Sequence, residues 1–460
     1  MLRLKKAIPP PLVRLLHRPY HFTLAALAAF GYGFPSRGLV VIGVTGTNGK
    51  TTVVHLLHEI FSSAGYSVGS LSSLRFKIRD AEEANLLKMT MPGRFRLQRF
   101  LARCRAEGCR FVILEVTSEG IKQFRHRFIR FSGAVLTNIT PEHIESHGSF
   151  ERYRAAKLEL FQRLPPRGIA ILNREDESTT GLEKRIRAEI VWYSRSAIEF
   201  KHIGHPVRVL TVRPERIQLE VDNMFLETRL GGMFNVMNVL AASAAVMACG
   251  VSLSAVAQAL DRVSGIPGRL EYVSRTPIAV VVDYAHTPDA LGAVYKSLSL
   301  EVDEYNKVDE YNSGSPRKLT NLSTSKLICV LGSAGGGRDK WKRPELGKIA
   351  ARFCKAVILT SEDPDDEDPA RIASEIRSGI SNSQPAPYGT EGSRSGFSMS
   401  NVHEVLDRRE AIREALRSAR PGDTVVITGM GVQPWFINQG EKIPWDERKI
   451  VKEELAHLST

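Results

Sequence analysis

The stretch "LVVIGVTGTNGKTT", residues 39 to 52, joins a run of apolar residues to a glycine-rich turn that ends in Lys-Thr-Thr. Gly46 and Gly49 permit backbone angles that other residues avoid, so several N–H groups can converge on one anion. Lys50 adds a positive charge, Thr51 offers a hydroxyl to Mg²⁺, and the helix expected to follow presents its positive N-terminal end. The sequence therefore predicts a loop that binds the phosphates of ATP. Its predicted phosphate-binding residues are Gly46, Thr47, Asn48, Gly49, Lys50, Thr51 and Thr52.

The overall composition limits the class of protein. A chain of 460 residues is long for one hydrophobic core, so two or three domains are expected. The formal net charge of +13 is explained by anionic nucleotide substrates, and no nucleic-acid partner is expected because no RNP-like strand, zinc finger or basic-helix array is present. The five cysteines form no C-x-x-C pair, which argues against a zinc ribbon and a disulfide framework and suits a reducing cytoplasm.

Residues 1–38 form a separate N-terminal segment. Its basic start and the apolar stretch from Phe22 to Phe34 faintly resemble a signal peptide, but a run of roughly a dozen residues is too short to span a bilayer. We expect an amphipathic helix that docks on the rest of the protein. The alternative is a helix that rests on the inner face of the membrane.

Short β-branched runs alternate with helical patterns along the rest of the chain, which predicts an α/β fold with parallel sheets. We expect a P-loop central parallel-sheet domain at 39–272 and a Rossmann-like C-terminal α/β domain at 273–460. The polar stretch 302–325, which begins with the tandem "VDEYNKVDEYN", reads as a disordered surface insertion, and residues 381–400 look similar. The predicted strands are Leu39–Thr45, Phe111–Val116, Ala134–Asn138, Gly168–Asn173, Ile278–Asp283, Lys326–Leu331, Ala356–Thr360 and Thr424–Thr428.

Two further stretches provide groups that suit a nucleotide site. "FVILEVTSEG" places Glu115 at the end of a buried strand, where α/β sheets bind their ligands. "AVLTNITPEHIESHG" ends another strand and delivers His143 into the next loop, although a lone histidine in a loop is more often a surface residue. Beside a triphosphate, both become candidate metal ligands, even though imidazole is unusual for Mg²⁺.

The stretch "SFERYRAAKLELF" predicts a helix whose buried face carries Phe150, Tyr153 and Leu160. Lys157 falls on the same face. Either it snorkels past its apolar neighbours, or it is a partly desolvated amine whose lowered pKa lets it take up CO₂ as a carbamate. The carbamate would be an anion able to join Glu115 in holding a second metal ion. Helical spacing alone leaves both possibilities open.

The second set of strands carries two more candidate stretches. "VVVDYAHTPDAL" ends a strand with Asp283 and adds His286 three residues later. Asp283 either binds a ribose hydroxyl or the metal shell of the γ-phosphate, or it simply caps the next helix. "LGSAGGGRDKWKRP", residues 331–344, is a cation-rich glycine turn suited to bind a carboxylate or phosphate from the opposite side of a cleft.

Together these stretches resemble the Mur ligase family, the ATP-dependent amide-forming enzymes of peptidoglycan synthesis. From residue 39 to the C-terminus, the order typical of that family is found in "GVTGTNGKTT", "LEVTSEG", "TNITPEHIESHG", "YRAAKLELF", "FNVMN", "PGRLEYV" and "DYAHTPDAL". "DYAHTPDAL", "GGGRDKWKRP" and "DRREAI" resemble the MurE-type branch, whose members add the third peptide residue. The resemblance implies a cytoplasmic ligase of cell-wall biogenesis, and hence a role in cell shape and cell division.

The resemblance also implies a mechanism. ATP would phosphorylate the D-Glu γ-carboxylate of UDP-N-acetylmuramoyl-L-Ala-D-Glu, and the α-amine of a free amino acid would attack the acyl phosphate. One Mg²⁺ is implied on Thr51 and Glu115. A second is implied on His143 and a carbamylated Lys157, while Lys50 offsets the charge of the transferring phosphoryl group.

Further binding residues follow only from the resemblance. Those of the nucleotide site are Asn235 for adenine, Arg269 for phosphate, Asp283 for ribose, and His286. Those of the muramoyl dipeptide site are Thr90, Ser118, Gln123 and Arg125. Those of the amino-acid pocket are Asp365, Gly429 and Arg408, of which Arg408 is expected to hold the α-carboxylate.

Two features depart from the family pattern. Only about 38 residues precede the first strand, too few for the usual uridine-binding domain, so the uridine end binds otherwise or the acceptor is a different muramoyl conjugate. Diaminopimelate-adding relatives read "DNPR", whose Arg pairs with the distal carboxylate, whereas this chain reads "EDPD" with Asp365 at that position. The reversal repels a carboxylate and favours an amine, which predicts a lysine- or ornithine-like amino acid.

Three other functions would explain part of the pattern. Folylpolyglutamate synthetases typically carry G-K-G-S where this chain has G-K-T-T. The ATP-binding subunit of a lipid-linked peptidoglycan amidotransferase carries a four-cysteine zinc ribbon that this sequence lacks. A non-catalytic scaffold predicts loss of Lys50, Glu115 or Lys157, and all three are present. We expect a monomer whose partners are the UDP-muramoyl dipeptide and a free amino acid.

Overall fold

The computed structural model of the chain describes residues 10–299, 326–382 and 398–458. The predicted insertion at 302–325 lies outside the described residues, as does most of 381–400. The helices are α1 Pro10–Gly31, α2 Lys50–Ser63, α3 Arg94–Ala106, α4 Ser118–Lys122, α5 Ile144–His147, α6 Phe150–Gln162, α7 Met233–Ala248, α8 Leu253–Arg262, α9 Pro288–Ser299, α10 Lys342–Phe353, α11 Pro369–Ser381, α12 Arg408–Ser418 and α13 Glu447–Leu458.

The strands fall into three sheets. Those of the first are β1 Val40–Thr45, β2 Val68–Leu71, β3 Arg75–Ile78, β4 Ala81–Ala84, β5 Phe111–Glu115, β6 Phe131–Leu136, β7 Ile169–Asn173, β8 Glu189–Tyr193, β9 Ala197–Phe200, β10 Ile203–Arg213, β11 Arg216–Val221 and β12 Met224–Thr228. Those of the second are β13 Glu271–Ser274, β14 Ala279–Asp283, β15 Leu327–Leu331, β16 Cys354–Leu359, β17 Val402–Glu404 and β18 Thr424–Thr428. The third is a hairpin of β19 Trp435–Asn438 and β20 Glu441–Pro444.

The first sheet has its phosphate-loop strand in the middle. Its order is β12-β11-β10-β9-β8-β7-β6-β1-β5-β2-β3-β4, and β1 pairs in parallel with both β5 and β6. The register sets Val44 beside Glu115, and Thr45 beside Leu136. The carboxyl ends of the three strands therefore meet at one edge, which is where the loop leaves β1.

Both faces of this sheet are covered. One face packs against α2 and α7, whose buried side chains include Val53, Leu57 and Val239. The other packs against α3 and α6 through residues such as Leu101 and Leu160. Because β1 is buried on both sides, its sequence is a continuous apolar run and not an alternating one.

The second sheet repeats the same layering on a smaller scale. Its order is β13-β14-β18-β15-β16-β17, with parallel pairing from β14 to β17. Helices α9, α10 and α11 cover one face, and α12 and α13 cover the other. Asp283 at the end of β14 lies beside Thr428 at the end of β18, so this sheet too brings strand ends together at one edge.

The predicted α/β fold is confirmed, and each predicted strand is found within three residues of its predicted ends. The helix that carries Lys157 also has the predicted buried face, except that Phe150 is only half-buried. β13 starts at Glu271 and pairs with β14, so the second sheet begins close to the predicted domain limit at 272.

The cysteines differ from the expectation. Cys329 of β15 and Cys354 of β16 are both buried and form a disulfide bond. The two cysteines are 25 residues apart, and this spacing alone does not predict a disulfide bond. Parallel pairing of β15 with β16 brings their side chains together. Strand topology and not local spacing decides which cysteines meet.

The N-terminal helix α1 docks on the central domain. Ala25, Ala28 and Ala29 are buried, and the Phe22 ring packs against Phe128 at 5.2 Å between centroids. Tyr20, Leu27 and Phe30 project outward and are exposed. Among the described residues, no helix is both long enough and apolar enough to cross a membrane.

His58 of α2 is a costly feature of the central core. Its side chain is completely buried, and neither ring nitrogen has a hydrogen-bond partner among the described residues. Burial, assisted by the positive charge of Lys77, lowers the pKa of His58 to about 3. The folded protein therefore keeps this imidazole neutral at pH values where the unfolded chain protonates it.

Replacing His58 with leucine should reduce the acid sensitivity of the fold. Above pH 6.5 the imidazole is neutral in both the folded and the unfolded chain, so it takes nothing from the free energy of unfolding. As the pH falls from 6.5 towards the folded pKa, only the unfolded chain binds the proton, and the free energy of unfolding falls by about 2 kcal/mol between pH 8 and pH 5. In His58→Leu, the fall in unfolding free energy over that interval should be smaller by this amount, as measured by urea denaturation. The exposed residue His202 provides the matched control, His202→Leu. An unchanged pH slope in His58→Leu would contradict the argument.

Candidate active site

A cavity of about 530 Å³ lies between the carboxyl edges of the two large sheets. Its walls combine the phosphate loop and the ends of β5 and β6 with residues that follow β14, β15, β16 and β18. Ligand sites of α/β proteins occur at this edge of a sheet, and here two such edges face each other. The geometry suits a ligand held by both domains at once.

The loop that follows β1 is fixed by the end of β6. Asn138 accepts a hydrogen bond from the Thr47 N–H through its carbonyl at 2.7 Å and from the Asn48 N–H through its side chain at 2.9 Å. Gly46 has a φ of +147°, and a Cβ there would stand 1.9 Å from the Thr137 hydroxyl. Gly49 has a φ of +84°, and only glycine allows both this angle and the approach of Asn238.

Lys50 and Thr51 open α2 and face the cavity. Lys50 Nζ donates to the carbonyls of Gly46 at 3.0 Å and Thr47 at 2.7 Å, which holds its charge over the loop. Thr51 Oγ1 donates to the Glu115 carboxylate at 3.0 Å, and the Ser73 N–H donates to the same carboxylate at 2.9 Å. Both side chains therefore lie where the phosphates of a nucleotide would be held.

Lys157 reaches the loop from α6. It is only 2% exposed, and its Nζ donates to the Gly46 carbonyl at 2.6 Å while lying 4.5 Å from the centre of the Tyr153 ring. Burial and the nearby charge of Lys50 lower the pKa of Lys157 well below its usual value. The Tyr153 hydroxyl lies 2.9 Å from the Thr47 hydroxyl, so the same turn of α6 supports the loop twice.

A carboxylate and two imidazoles bridge the domains. Glu142 lies 3.3 Å from Nε2 of His286 and 3.7 Å from Nε2 of His143. Burial alone would raise the pKa of Glu142, but the hydrogen bond from His286 and the neighbouring positive groups outweigh it and hold this pKa well below its usual value. Burial also lowers the pKa of His143 to about 4, so its imidazole is neutral at pH 7 and has a lone pair for a metal ion.

The second domain closes over the loop through polar contacts. The Asp339 carboxylate accepts from the backbone N–H groups of Ile144 at 3.2 Å and Glu145 at 3.0 Å. Lys342 Nζ donates to the His286 carbonyl at 2.9 Å and lines the cavity. This part of the cation-rich turn thus reaches the site, as its sequence predicts.

Arg269 and Asp283 connect the joint between the domains to the site. Arg269 lies 4.4 Å over the Tyr284 ring and 3.4 Å from the Thr51 hydroxyl. Asp283 accepts from the N–H groups of Leu270 and Ala285, both at 2.6 Å, and burial raises its pKa. Asp283 does not cap α9, because its two hydrogen bonds come from Leu270, ahead of β13, and from Ala285, ahead of the helix.

Most of the predicted site residues are brought together, although two groups lie elsewhere. Those that line the cavity are Thr47, Asn48, Gly49, Lys50, Thr51, Thr52, Thr90, Glu115, His143, Arg269, Asp283, His286 and Gly429. Gly46 belongs to the loop itself, and Lys157 contacts its carbonyl from behind. Those that do not line the cavity are Ser118, Gln123, Arg125, Asn235, Asp365 and Arg408.

At two of these positions, a neighbouring residue lines the cavity in place of the predicted one. Asn235 is buried and donates to the Gly231 carbonyl at 2.8 Å, whereas Asn238, one turn later on α7, lines the cavity. Ser118 is buried in α4, whereas Thr117 lines the cavity and caps that helix by accepting from the Gly120 N–H. A motif predicts which segment of the chain lies at the site. Which of its side chains face the cavity depends on the residue at which the helix begins.

Arg408 lies outside the cavity wall for a different reason. Its buried guanidinium donates to the Glu447 carboxylate at 2.9 Å and to the Thr428 carbonyl at 2.8 Å, so these groups already occupy its donors. Arg343 of the glycine turn is likewise buried and paired with Glu367 and Glu375. Both arginines hold the second domain together and lie outside the wall of the cavity.

Asp365 stands beside the cavity and not in its wall. Its φ is +55°, its N–H donates to the Ile437 carbonyl, and its carboxylate lies against Gly336. The two preceding acidic residues line the cavity: Glu362, which is buried, and Asp363, which pairs with Lys88 at 2.5 Å.

Sequence reasoning missed several residues of the wall. Glu142 could have been found, because it precedes His143 in the same motif and is the acidic residue of "TPEH". Asn238 shares a helix face with the predicted Asn235. Glu362 could also have been found, because it is the first residue of the quoted motif "EDPD". No sequence signal pointed to Lys88, because only the folded chain brings its segment to the cavity.

The donor set suits Mg²⁺ at one position. The Glu115 carboxylate is 2% exposed, faces Thr51, and has no positively charged side chain within ion-pair distance among the described residues. Hydroxyl and carboxylate oxygens are preferred ligands of this hard cation. No group of three or more His, Cys, Asp or Glu side chains forms a metal site in the described part of the chain. A metal here would therefore complete its shell with phosphate and water.

The fold and site define a class: an ATP-binding α/β ligase whose two domains meet at the phosphates. The chain matches the Mur ligase middle domain over residues 44–246 and the Mur ligase, glutamate ligase domain over residues 316–431. The chain belongs to the Mur ligase family and is an ATP-dependent ligase, and the resemblance seen in its motifs is confirmed.

Individual relatives agree with this assignment. The chain is 36% identical to a UDP-N-acetylmuramoyl-L-alanyl-D-glutamate–2,6-diaminopimelate ligase of Thermosynechococcus vestitus, covering 93% of this chain and 79% of the relative. It is 32% identical to the ligase of the same name from Syntrophomonas wolfei, and the match covers 94% of this chain and 81% of the relative. A solved structure titled as a ligase of the same name superposes with a TM-score of 0.57 at 29% identity, covering 92% of this chain and 79% of that one.

Proposed function

We propose that the protein joins an amino acid to UDP-N-acetylmuramoyl-L-Ala-D-Glu, with conversion of ATP to ADP and phosphate, in peptidoglycan synthesis. The observation that carries the proposal is the single cavity that brings the phosphate loop, the Thr51–Glu115 pair and the Glu142–His143 pair of one domain against Arg269 and the second sheet. Relatives named UDP-N-acetylmuramoyl-L-alanyl-D-glutamate–2,6-diaminopimelate ligase align with more than 90% of this chain at 32% and 36% identity. An acceptor, a nucleotide and an amine must meet in one place for this chemistry, and the cavity provides that place.

The first step is phosphoryl transfer. An oxygen of the acceptor carboxylate attacks the γ-phosphorus, the bond from the γ-phosphorus to the β,γ-bridging oxygen breaks, and ADP leaves as an anion. Lys50 and the loop N–H groups stabilise the charge that collects on the transferring group. When bound at Thr51 and Glu115, Mg²⁺ would supply further neutralisation of that charge.

The second step forms the amide. The amine nitrogen attacks the acyl carbon, the tetrahedral intermediate collapses, and phosphate leaves with the electrons of the acyl C–O bond while the nitrogen loses its proton. His143, which is neutral at pH 7, and the buried Lys157 would position the acceptor against the phosphates. We propose that Lys157 is carbamylated and, with His143, holds a second Mg²⁺. A buried lysine beside the loop with no carboxylate ion pair supports this modification.

A coupled assay tests the proposal. ADP release should require both the UDP-muramoyl dipeptide and an amino acid, and Lys157→Arg should lower kcat by about 100-fold or more because arginine keeps the charge but cannot take up CO₂. Lys184→Arg is the matched control, because Lys184 is exposed and does not line the cavity. ADP release with folyl-glutamate, or with ammonia and a lipid-linked peptide, in place of these substrates would assign the protein to a rival function. Full activity of Lys157→Arg would exclude the carbamate.

We propose that the amino acid ends in an ammonium group, as lysine and ornithine do. Glu362 is buried in the cavity wall, and no positively charged side chain pairs with it among the described residues. Asp363 lines the same wall and Asp365 follows. Asp363 already pairs with Lys88, so the carboxylate of Glu362 is the group that would bind an ammonium and repel the extra carboxylate of diaminopimelate.

Substrate competition checks this choice. L-Lysine or L-ornithine should give a kcat/KM about tenfold or more above that of meso-diaminopimelate, and Asp365→Arg should narrow or reverse the ratio by restoring a cation near the pocket. Asp368→Arg, three residues away at the exposed start of α11, controls for the added charge. A preference of the unmodified protein for diaminopimelate would reject the proposal.

We further propose that the protein works as a monomer in the cytoplasm and touches the inner membrane face through α1. The outward side chains Tyr20, Leu27 and Phe30 are exposed, and no charged residue lies between Pro19 and Ser36. The adjacent helix α3 carries five arginines and no acidic residue. An apolar stripe beside a basic helix is the pattern of a peripheral membrane contact.

Vesicle flotation tests the membrane contact. The protein should float with vesicles that contain anionic phospholipid and should not float with neutral ones, and the double variant Leu27→Ser/Phe30→Ser should bind about tenfold more weakly. The double variant Ile203→Ser/Phe225→Ser removes two equally exposed apolar side chains from another surface and should have no effect. Equal binding to neutral and anionic vesicles, or none at all, would refute the contact.

A further inference from the structure

The ammonium group of Lys88 reaches from the central domain to the second domain. Lys88 lies between β4 and α3, and its Nζ donates to the Asp363 carboxylate at 2.5 Å. The same Nζ lies 4.6 Å from the centre of the Trp435 ring, which belongs to the hairpin β19–β20. Most of both charged side chains is shielded from water, since Lys88 is 13% exposed and Asp363 is 21% exposed. A carboxylate and an aromatic face together hold one ammonium group in place.

The backbone at Lys88 has a conformation that lysine rarely adopts. Its φ is +50°, in the left-handed region. The buried side chain of Asn85 fixes this turn by donating to the Ser72 carbonyl at 2.8 Å and to the Met89 carbonyl at 3.1 Å. It also accepts from the Leu87 N–H at 3.1 Å. An unfavourable backbone angle persists only where surrounding contacts enforce it, so the direction of Lys88 is built into the fold.

Lys88 decides how much negative charge the cavity presents after β16. Glu362 and Asp363, which form what we call the acidic wall, both line the cavity, and Lys88 lines it as well. Asp363 is fully engaged, since one carboxylate oxygen accepts from Lys88 and the other accepts from the Ile437 N–H at 2.8 Å. Glu362 is buried, and no positively charged side chain pairs with it among the described residues. The acidic wall therefore presents one unpaired carboxylate with Lys88 in place, and would present two without it.

We propose that Lys88 is a specificity-determining residue for the amino acid, because its pairing with Asp363 leaves Glu362 as the free carboxylate of the acidic wall. This inference rests on the proposed function and deepens it, since a wall with one free carboxylate matches a side chain with one ammonium group. Lys88 does not itself bind a carboxylate of the amino acid, because Asp363 and the Trp435 ring already hold its ammonium group. The cation comes from the domain that carries the phosphate loop, so the wall has this charge only when the two domains are in contact.

Steady-state kinetics with L-lysine and L-norleucine test this role, because norleucine has the same side-chain carbons without the ammonium group. Lys88→Met releases Asp363, so the ratio of kcat/KM for lysine over norleucine should rise about tenfold. Adding Asp363→Asn to Lys88→Met should return the ratio to within about twofold of its original value, since Glu362 is again the free carboxylate. A purely structural role of Lys88 would change both substrates alike, and the second substitution would not reverse it.

The matched control is Lys201→Met. Lys201 also has a φ of +50° and lies 4.9 Å from the centre of the Phe200 ring, but it is exposed and does not line the cavity. Its variant should keep the original ratio, and Lys88→Arg, which retains the charge, should keep it within about threefold. An unchanged ratio in Lys88→Met would overturn the inference. A selective loss of activity with meso-diaminopimelate in Lys88→Met would overturn it too, because Lys88 would then bind a substrate carboxylate directly.

Direct binding separates failure of this inference from failure of the proposed function. In isothermal titration with ADP and Mg²⁺ present, L-lysine should bind Lys88→Met about tenfold more tightly than the unmodified protein, while the affinity for L-norleucine should not change. This result supports the role of Lys88 even if the protein forms no amide, in which case the proposed function alone fails. Equal affinity of the two proteins for L-lysine, or no binding to either, rejects the inference even if the ligase is active. A thermal melt of each variant excludes unfolding as the cause.

Discussion

Two lysines donate to one backbone oxygen, the carbonyl of Gly46, and the active site is built around this point. Lys50 approaches from α2 at 3.0 Å and Lys157 from α6 at 2.6 Å. Two ammonium groups so close to each other in a largely buried place repel, and this repulsion contributes to the lowered pKa of Lys157. The arrangement is therefore prepared for negative charge, either from phosphate at Lys50 or from a carbamate at Lys157.

The surroundings of Gly46 explain why other residue types do not fit at this position. The φ of +147° and the 1.9 Å that would separate a Cβ from the Thr137 hydroxyl exclude any other residue without a shift of β6. β6 also supplies Asn138, which orients the N–H groups of the loop. A change at the end of β6 would consequently act on nucleotide binding without touching the nucleotide, because the loop takes its shape from that strand.

Much of the fold and part of the site follow from sequence, for definable reasons. Apolar runs identify the parallel strands, and the helical spacing around Lys157 correctly places its side chain in the interior. The failures concern side chains whose role depends on distant segments: Arg408 pairs with Glu447, 39 residues later, and Cys329 bonds to Cys354 on the next strand. Local patterns define elements and motifs, but only tertiary packing determines which polar group is left free for a ligand.

The contacts between the two domains bear on how substrates enter. Asp339 accepts from two backbone N–H groups of α5, Lys88 pairs with Asp363, and Thr287 lies 3.4 Å from the Asn48 side chain. Polar contacts of this kind contribute about 1 kcal/mol each, since water replaces them when they separate. A few such contacts hold the two domains together by only a few kcal/mol, which is within the range that a bound nucleotide supplies. We therefore expect the two domains to come fully together only when substrates bind, so that water is excluded before the proposed attack of the amine on the acyl phosphate.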